Sequence, residues 1–174
     1  NTNEDSWVQS PSVDLSSYTG GLSIQLALSY RAEFDAPSSF YDYAWLETSV
    51  DGGAWTRVGT ATSGSNWYNR TTTGSQGWGG VSGGWIVASH PLTGVSGESD
   101  VRVRIRFDSD FSGNDAGFAF DDVRIIPSAP DLAVSLAPSA DLCDGVLVTV
   151  RNEGSLPVSF FDLLTNVDGT MSTT

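Results

Sequence analysis

The chain has 174 residues and a formal net charge of −13, and its eight basic residues are all arginine. Hydrophobic residues make up 39% and there are 19 glycines, a globular, turn-rich composition in which no apolar run approaches the roughly 18 residues of a bilayer-crossing helix. The acidity argues against nucleic acid and anionic membranes as partners, because phosphate binding needs a basic footprint, and the single Cys143 excludes an internal disulfide framework.

In chain order, Trp7 and Val8 precede a Ser-Pro turn, followed by Val13 and Leu15. Leu22 to Tyr30 alternates apolar and polar residues and reads as an amphipathic strand. Arg31 to Ser39 is a polar connector carrying Glu33 and Asp35. Phe40 to Val50 is a second strand, with Tyr41, Tyr43 and Trp45 on one face. Asp51-Gly52-Gly53 signals a tight turn, and Ala54 to Thr60 returns as the other half of a hairpin. Ala61 to Gly84 is rich in Ser, Thr, Gly and Asn and reads as a long loop or a set of short strands around Trp67, Tyr68 and Trp78. Trp85 to Ser89 resumes a strand, and His90-Pro91-Leu92 leads through a Gly/Ser turn to the next element.

Asp100 to Ile126 is the most strongly patterned stretch. Val101, Val103, Ile105 and Phe107 alternate with Arg102, Arg104, Arg106 and Asp108, so one face is buried and one is wet. An acidic, glycine-containing loop joins this strand to Gly117–Ile126, which carries Asp121 and Asp122 among apolar residues. A carboxylate pair there needs a partner, because an unpaired buried charge is costly. The arginines of the preceding strand are one answer, and a bound cation is the other. No segment carries a helical period, and the short strands with turns between them predict an all-β antiparallel sandwich. Pro127–Pro130 is a linker. Beyond it, strands at Asp131–Leu136, Gly145–Val150 and Val158–Leu164 begin a second unit, residues 131–174. Those 44 or so residues are too few for an immunoglobulin-type sandwich of roughly 100.

Several constellations suggest chemistry. Asp108, Asp110, Ser112 and Gly113, with Asp115 following, match the first half of a calcium loop. The later glutamate and the flanking helices of an EF-hand are absent, so the choices are a solvated loop or a calcium site of another kind. Asp42, Asp121 and Asp122 form a second candidate cation set, with Glu33 or Asp35 as further ligands. Trp67, Tyr68, Trp78 and Trp85 are candidates for stacking on glycans, or else for a satellite apolar cluster. Asp51 and Trp55 sit in an Asp-box-like hairpin, read as a folding device. Catalysis finds little support: His90 and Cys143 fall in different units, and no pair of carboxylates stands out by spacing. The chain reads as a non-enzyme, at most an accessory domain of a secreted hydrolase.

Tyr41–Gly59 (YDYAWLETSVDGGAWTRVG), Val101–Asp110 (VRVRIRFDSD) and Gly117–Ile125 (GFAFDDVRI) follow one another in an order that resembles the MAM-like modules of bacterial secreted and surface proteins. The resemblance covers about residues 5–127. It implies a jelly-roll β-sandwich over residues 1–127, further first strands upstream of Trp7, and a structural cation near the sheet edge. The tail, with PDLAVSL and VLVTVRNEGSLPVS, resembles the opening half of a CARDB-type immunoglobulin-like repeat. Together they imply an extracellular or cell-surface module for adhesion, contact or spacing, partnered by other domains of the same protein or by neighbouring chains. A carbohydrate-binding module and a subunit of an extracellular filament or surface layer are the alternatives.

Overall fold

A computed structural model of the chain describes residues 3–36, 39–61, 63–71, 75–113, 115–128, 132–138, 146–152, 164–167 and 170–173. All regular structure among them is β, and every strand pair is antiparallel. The chain divides into two compact units, Asn1–Ser128 and Ala129–Thr174.

The first unit is built on period-two alternation. Its strands are β1 (Asp5–Gln9), β2 (Leu22–Arg31), β3 (Phe34–Ala36), β4 (Ser39–Phe40), β5 (Tyr43–Val50), β6 (Thr56–Arg57), β7 (Ile86–Leu92), β8 (Val101–Asp108) and β9 (Gly117–Pro127). They form a four-stranded sheet in the order β1-β8-β5-β6, a three-stranded sheet β7-β2-β9, and a small β3-β4 pair. From β2, Leu22, Ile24, Leu26 and Leu28 are at most 1% exposed. They face Ala44 and Leu46 of β5 and Val101, Val103 and Ile105 of β8 across one sandwich core. Each such side chain gains about 1.5–3 kcal/mol from burial, which is what fixes the register of both sheets.

The long Ser/Gly-rich segment contributes to that core instead of lying over it. Trp67, Tyr68 and Trp78 are 5%, 1% and 1% exposed. Trp78 meets Trp67 and Tyr68 edge-on at 4.8 and 4.7 Å between ring centroids. The segment is drawn in by a two-way backbone bridge, Trp78 N–H to Ala44 O at 2.7 Å and Ala44 N–H to Trp78 O at 2.9 Å. Only glycine permits this at position 77, where a β-carbon would overlap the Ala44 carbonyl.

Several expectations are corrected here. β8 and β9 are not neighbours, so the β8 arginines do not face Asp121 and Asp122 across a strand pair: β8 lies between β1 and β5, whereas β9 pairs with β2 in the other sheet. The acidic loop between them therefore crosses from sheet to sheet. Residues 5–9 form an edge strand that the sequence does not announce, because all but one of its side chains are exposed. The polar connector after β2 contains the β3-β4 pair, and β7 runs on through His90 and Pro91 to Leu92.

In the second unit, β10 (Leu132–Pro138) pairs with β11 (Val146–Asn152), and β12 (Leu164–Val167) pairs with β13 (Thr170–Thr173). Most of the expected strand Val158–Leu164, and Cys143, lie outside the described residues. Val134 and Leu136 of β10 are 57% and 70% exposed.

Candidate metal site

The acidic residues that the fold brings together are Glu33, Asp42 and Asp110. Glu33 lies just before β3, Asp42 just before β5, and Asp110 two residues after β8. Carboxylate oxygens of the three lie within 4.8 Å of one another. Asp42 is 7% exposed, and its Oδ1 accepts the Asp110 backbone N–H at 3.2 Å. Asp110 Oδ1 accepts the Ser112 N–H at 2.7 Å, closing the turn. Gly113 then passes directly over the Glu33 carboxylate with φ at 66°, and a β-carbon there would overlap that carboxylate. Glu33 Oε2 is buried and accepts no hydrogen bond.

The electrostatics follow from the crowding. Loss of solvent raises the Glu33 carboxyl above its ordinary range, and the negative charges of Asp110, Asp42, Asp35 and Asp115 raise it further. Burial likewise raises Asp42, against the backbone N–H groups of Asp110 and Glu33, which favour its ionised form. Glu4, Ser109 and Asp115 join Asp42 and Asp110 around a cavity of about 340 Å³. Arg31 also borders it, but its Nε is paired with Asp115 at 2.7 Å. Three carboxylates, one with an orphaned buried oxygen, are the kind of oxygen donors that could hold a hard cation. Glu33 and Asp42 both come from the chain before β5, far from the Asp108–Asp115 loop that carries the sequence motif.

Of the six aspartates singled out by sequence, the fold places Asp42 and Asp110 in the cluster and Asp115 on the cavity wall. Asp108 is the last residue of β8 and faces Tyr43 across the β5–β8 ladder. Asp121 and Asp122 are elsewhere, on the exposed edge of β9. There β9 carries one residue more than β2 between its pairings of Arg124 with Gln25 and Asp121 with Ala27. This β-bulge puts Asp122 at φ 51°, and Asp121 Oδ1 accepts the Asp122 N–H at 2.7 Å. A bulge bearing charges twists an edge strand and blunts its pairing with other chains. That is the structural reason for the pair, and it needs neither a cation nor the β8 arginines. Of the two loop acids considered with them, Asp35 accepts the Tyr41 hydroxyl at 2.8 Å and stays out of the cluster.

The β8 arginines turn instead to the outer face of their own sheet. Arg104 bonds Glu47 at 2.6 Å, with both side chains largely buried, and lies over the rings of Trp55 and Trp7 at 4.3 and 5.4 Å. Arg106 pairs with Asp5 and lies 5.2 Å from the ring of Trp45, which also has the Arg57 guanidinium at 4.4 Å. Arg102 bonds Asp100 at 3.1 Å.

Among the four aromatics considered for stacking, Trp67, Tyr68 and Trp78 are core residues with satisfied polar atoms. Trp67 Nε1 donates to Val58 O, Trp78 Nε1 to Asn66 O, and the Tyr68 hydroxyl to Leu46 O. Burial pushes the Tyr68 hydroxyl far up. None of the three can meet a sugar. Trp85 is 61% exposed and can. The contact between His90 Nε2 and Ser63 Oγ at 2.8 Å, invisible in the sequence, ties a turn that also holds the Thr60 N–H and carbonyl. It acts as a loop clamp.

No family model matches the chain, and no curated protein matches it.

Proposed function

We propose that the Asn1–Ser128 unit is a non-catalytic jelly-roll module of the MAM-like kind. It works in adhesion, contact or spacing within a large secreted or surface-anchored bacterial protein. Ca²⁺ held by Glu33, Asp42 and Asp110 rigidifies one end of it. The observation that carries the cation is the buried, unpartnered Glu33 Oε2 beside two further carboxylates, with the nearby arginine already committed to Asp115. A bound cation would cancel the mutual repulsion of the three charges and would join the β3 end, the β5 entry and the β8–β9 crossover, three segments distant in sequence. Such a clamp suits a module that bears load or presents a fixed surface. The motif order along Tyr41–Ile125 and the CARDB-like tail support the non-catalytic, multidomain reading.

The test is thermal unfolding of the whole chain in calcium and in chelator. A ligand that binds only the folded state adds about 2.7 kcal/mol at a hundred times its Kd, which raises the melting temperature by on the order of 10 °C for a domain of this size. A melting temperature that is the same in calcium and in chelator would refute the cation.

A further inference from the structure

The two outer faces of the sandwich differ in kind. That of the four-stranded sheet is closed by its own ladder of arginines and aromatics. That of the three-stranded sheet carries no such ladder among the described residues of its unit. Its central strand β2 presents Gln25, Ala27 and Ser29 outward, opposite the inward Ile24, Leu26 and Leu28. In register with them stand Ser89 and Val87 of β7 on one side, and Arg124, Asp121 and Ala119 of β9 on the other. Polar side chains, Gln25, Asp121 and Arg124, and the apolar Val87 thus share this one face across neighbouring strands about 4.7–4.9 Å apart.

At one end, Ser29 and Ala119 open into a hollow of about 380 Å³, bordered also by Gly83 and Gly84. Trp85 follows Gly84 and alternates with the inward Ile86, which places it on the same outer face as Val87, itself 55% exposed. The side chains of Gln25 and Ser29 have no hydrogen-bond partner among the described residues. Arg124 makes only a 3.6 Å contact with Asp122, and Asp121 bonds one neighbouring amide. A matching ligand offers an apolar ring face to the indole and hydroxyls to the amide, carboxylate and guanidinium. It carries no net negative charge, because a chain of charge −13 repels polyanions.

We propose that this face binds a neutral glycan, with Trp85 stacked on a sugar ring and Gln25, Asp121 and Arg124 taking its hydroxyls. The site lies outside the Glu33–Asp42–Asp110 cluster and needs no cation.

Native affinity electrophoresis tests it, with the whole chain run through gels cast with a β-glucan, a xylan, a galactomannan or an α-glucan, and a polyuronate as the charged control. The expected result is retardation in at least one neutral gel and none in the polyuronate. Trp85→Ala then weakens binding roughly tenfold or more, Trp85→Phe retains part of it, and the melting temperature of both variants stays that of the parent. Free mobility in all four neutral gels overturns the proposal, as does retardation that Trp85→Ala leaves unchanged. Because melting in calcium reads the cluster and mobility reads the sheet face, either proposal can fail without the other.

Discussion

Replacing Trp78 by alanine separates a core made by two sheets alone from a core completed by the Ser/Gly-rich segment. The side chain is 1% exposed and sits edge-on to Trp67 and Tyr68. Its Nε1 donates to Asn66 O at 3.0 Å. Truncating a buried aromatic costs about 3–5 kcal/mol. Two edge-to-face contacts and an orphaned carbonyl place Trp78→Ala at the upper end of that range. Set against a total stability of about 5–15 kcal/mol, this is a third or more of what holds such a domain together. Urea unfolding followed by far-ultraviolet circular dichroism measures it, with the midpoint falling and the slope unchanged. Trp78→Phe keeps most of the ring contact, loses the N–H bond, and costs about 1–3 kcal/mol. A loss below about 1 kcal/mol for Trp78→Ala would mean that the segment lies over the core and not in it.

Glu47→Ala leaves Arg104 and the Trp45 N–H without their shared acceptor, in a pair only 12% and 10% exposed. Breaking a buried pair from one side costs about 3–5 kcal/mol, readable as a lower urea midpoint, whereas Arg102→Ala on the exposed Asp100 pair costs under about 1 kcal/mol. The raised carboxyls of Glu33 and Asp42 make a signed prediction. A group raised in the folded state contributes stability below its unfolded pKa and loses it as pH rises through the folded one. In chelator, the advantage of Asp42→Asn over the parent is therefore largest near neutral pH and fades as pH falls into the carboxylate range. The calcium-induced rise in melting temperature fades over the same interval, because protons compete for the ligand oxygens. A parent–variant difference that is flat with pH would contradict this.

The strands with one buried face were legible from alternation alone. β2 and β8 each set apolar residues against polar ones, and a slip of one residue would turn Arg104 from the outer face into the sandwich core or expose Leu26. β1 was not legible, because an edge strand with four of its five side chains exposed has no pattern to display. Nor was the sheet membership of β8 and β9 legible. They follow each other directly in sequence, and only the three-dimensional pairing of β9 with β2 reveals that the acidic loop is a crossover. Of the site, Asp42 and Asp110 stood out as acids beside strong strands. Glu33 could not be told from Asp35 as a further ligand, since what singles it out is the closing of Gly113 over it. Asp121 and Asp122 misled for the opposite reason: adjacent acids in a strand suggest a ligand pair, but a bulge with Asp122 in the left-handed region accounts for them. The loop aromatics left both readings open, a stacking surface or an apolar cluster, since exposure cannot be told from burial in a segment without periodicity.

Calorimetric titration of calcium into chelator-treated protein tests the central claim most directly. The account predicts one Ca²⁺ per chain, binding that is lost in the Glu33→Gln/Asp42→Asn double variant and kept in Asp121→Asn/Asp122→Asn. No binding heat in the parent by calorimetry at two temperatures, or binding that survives the loss of Glu33 and Asp42, would contradict it.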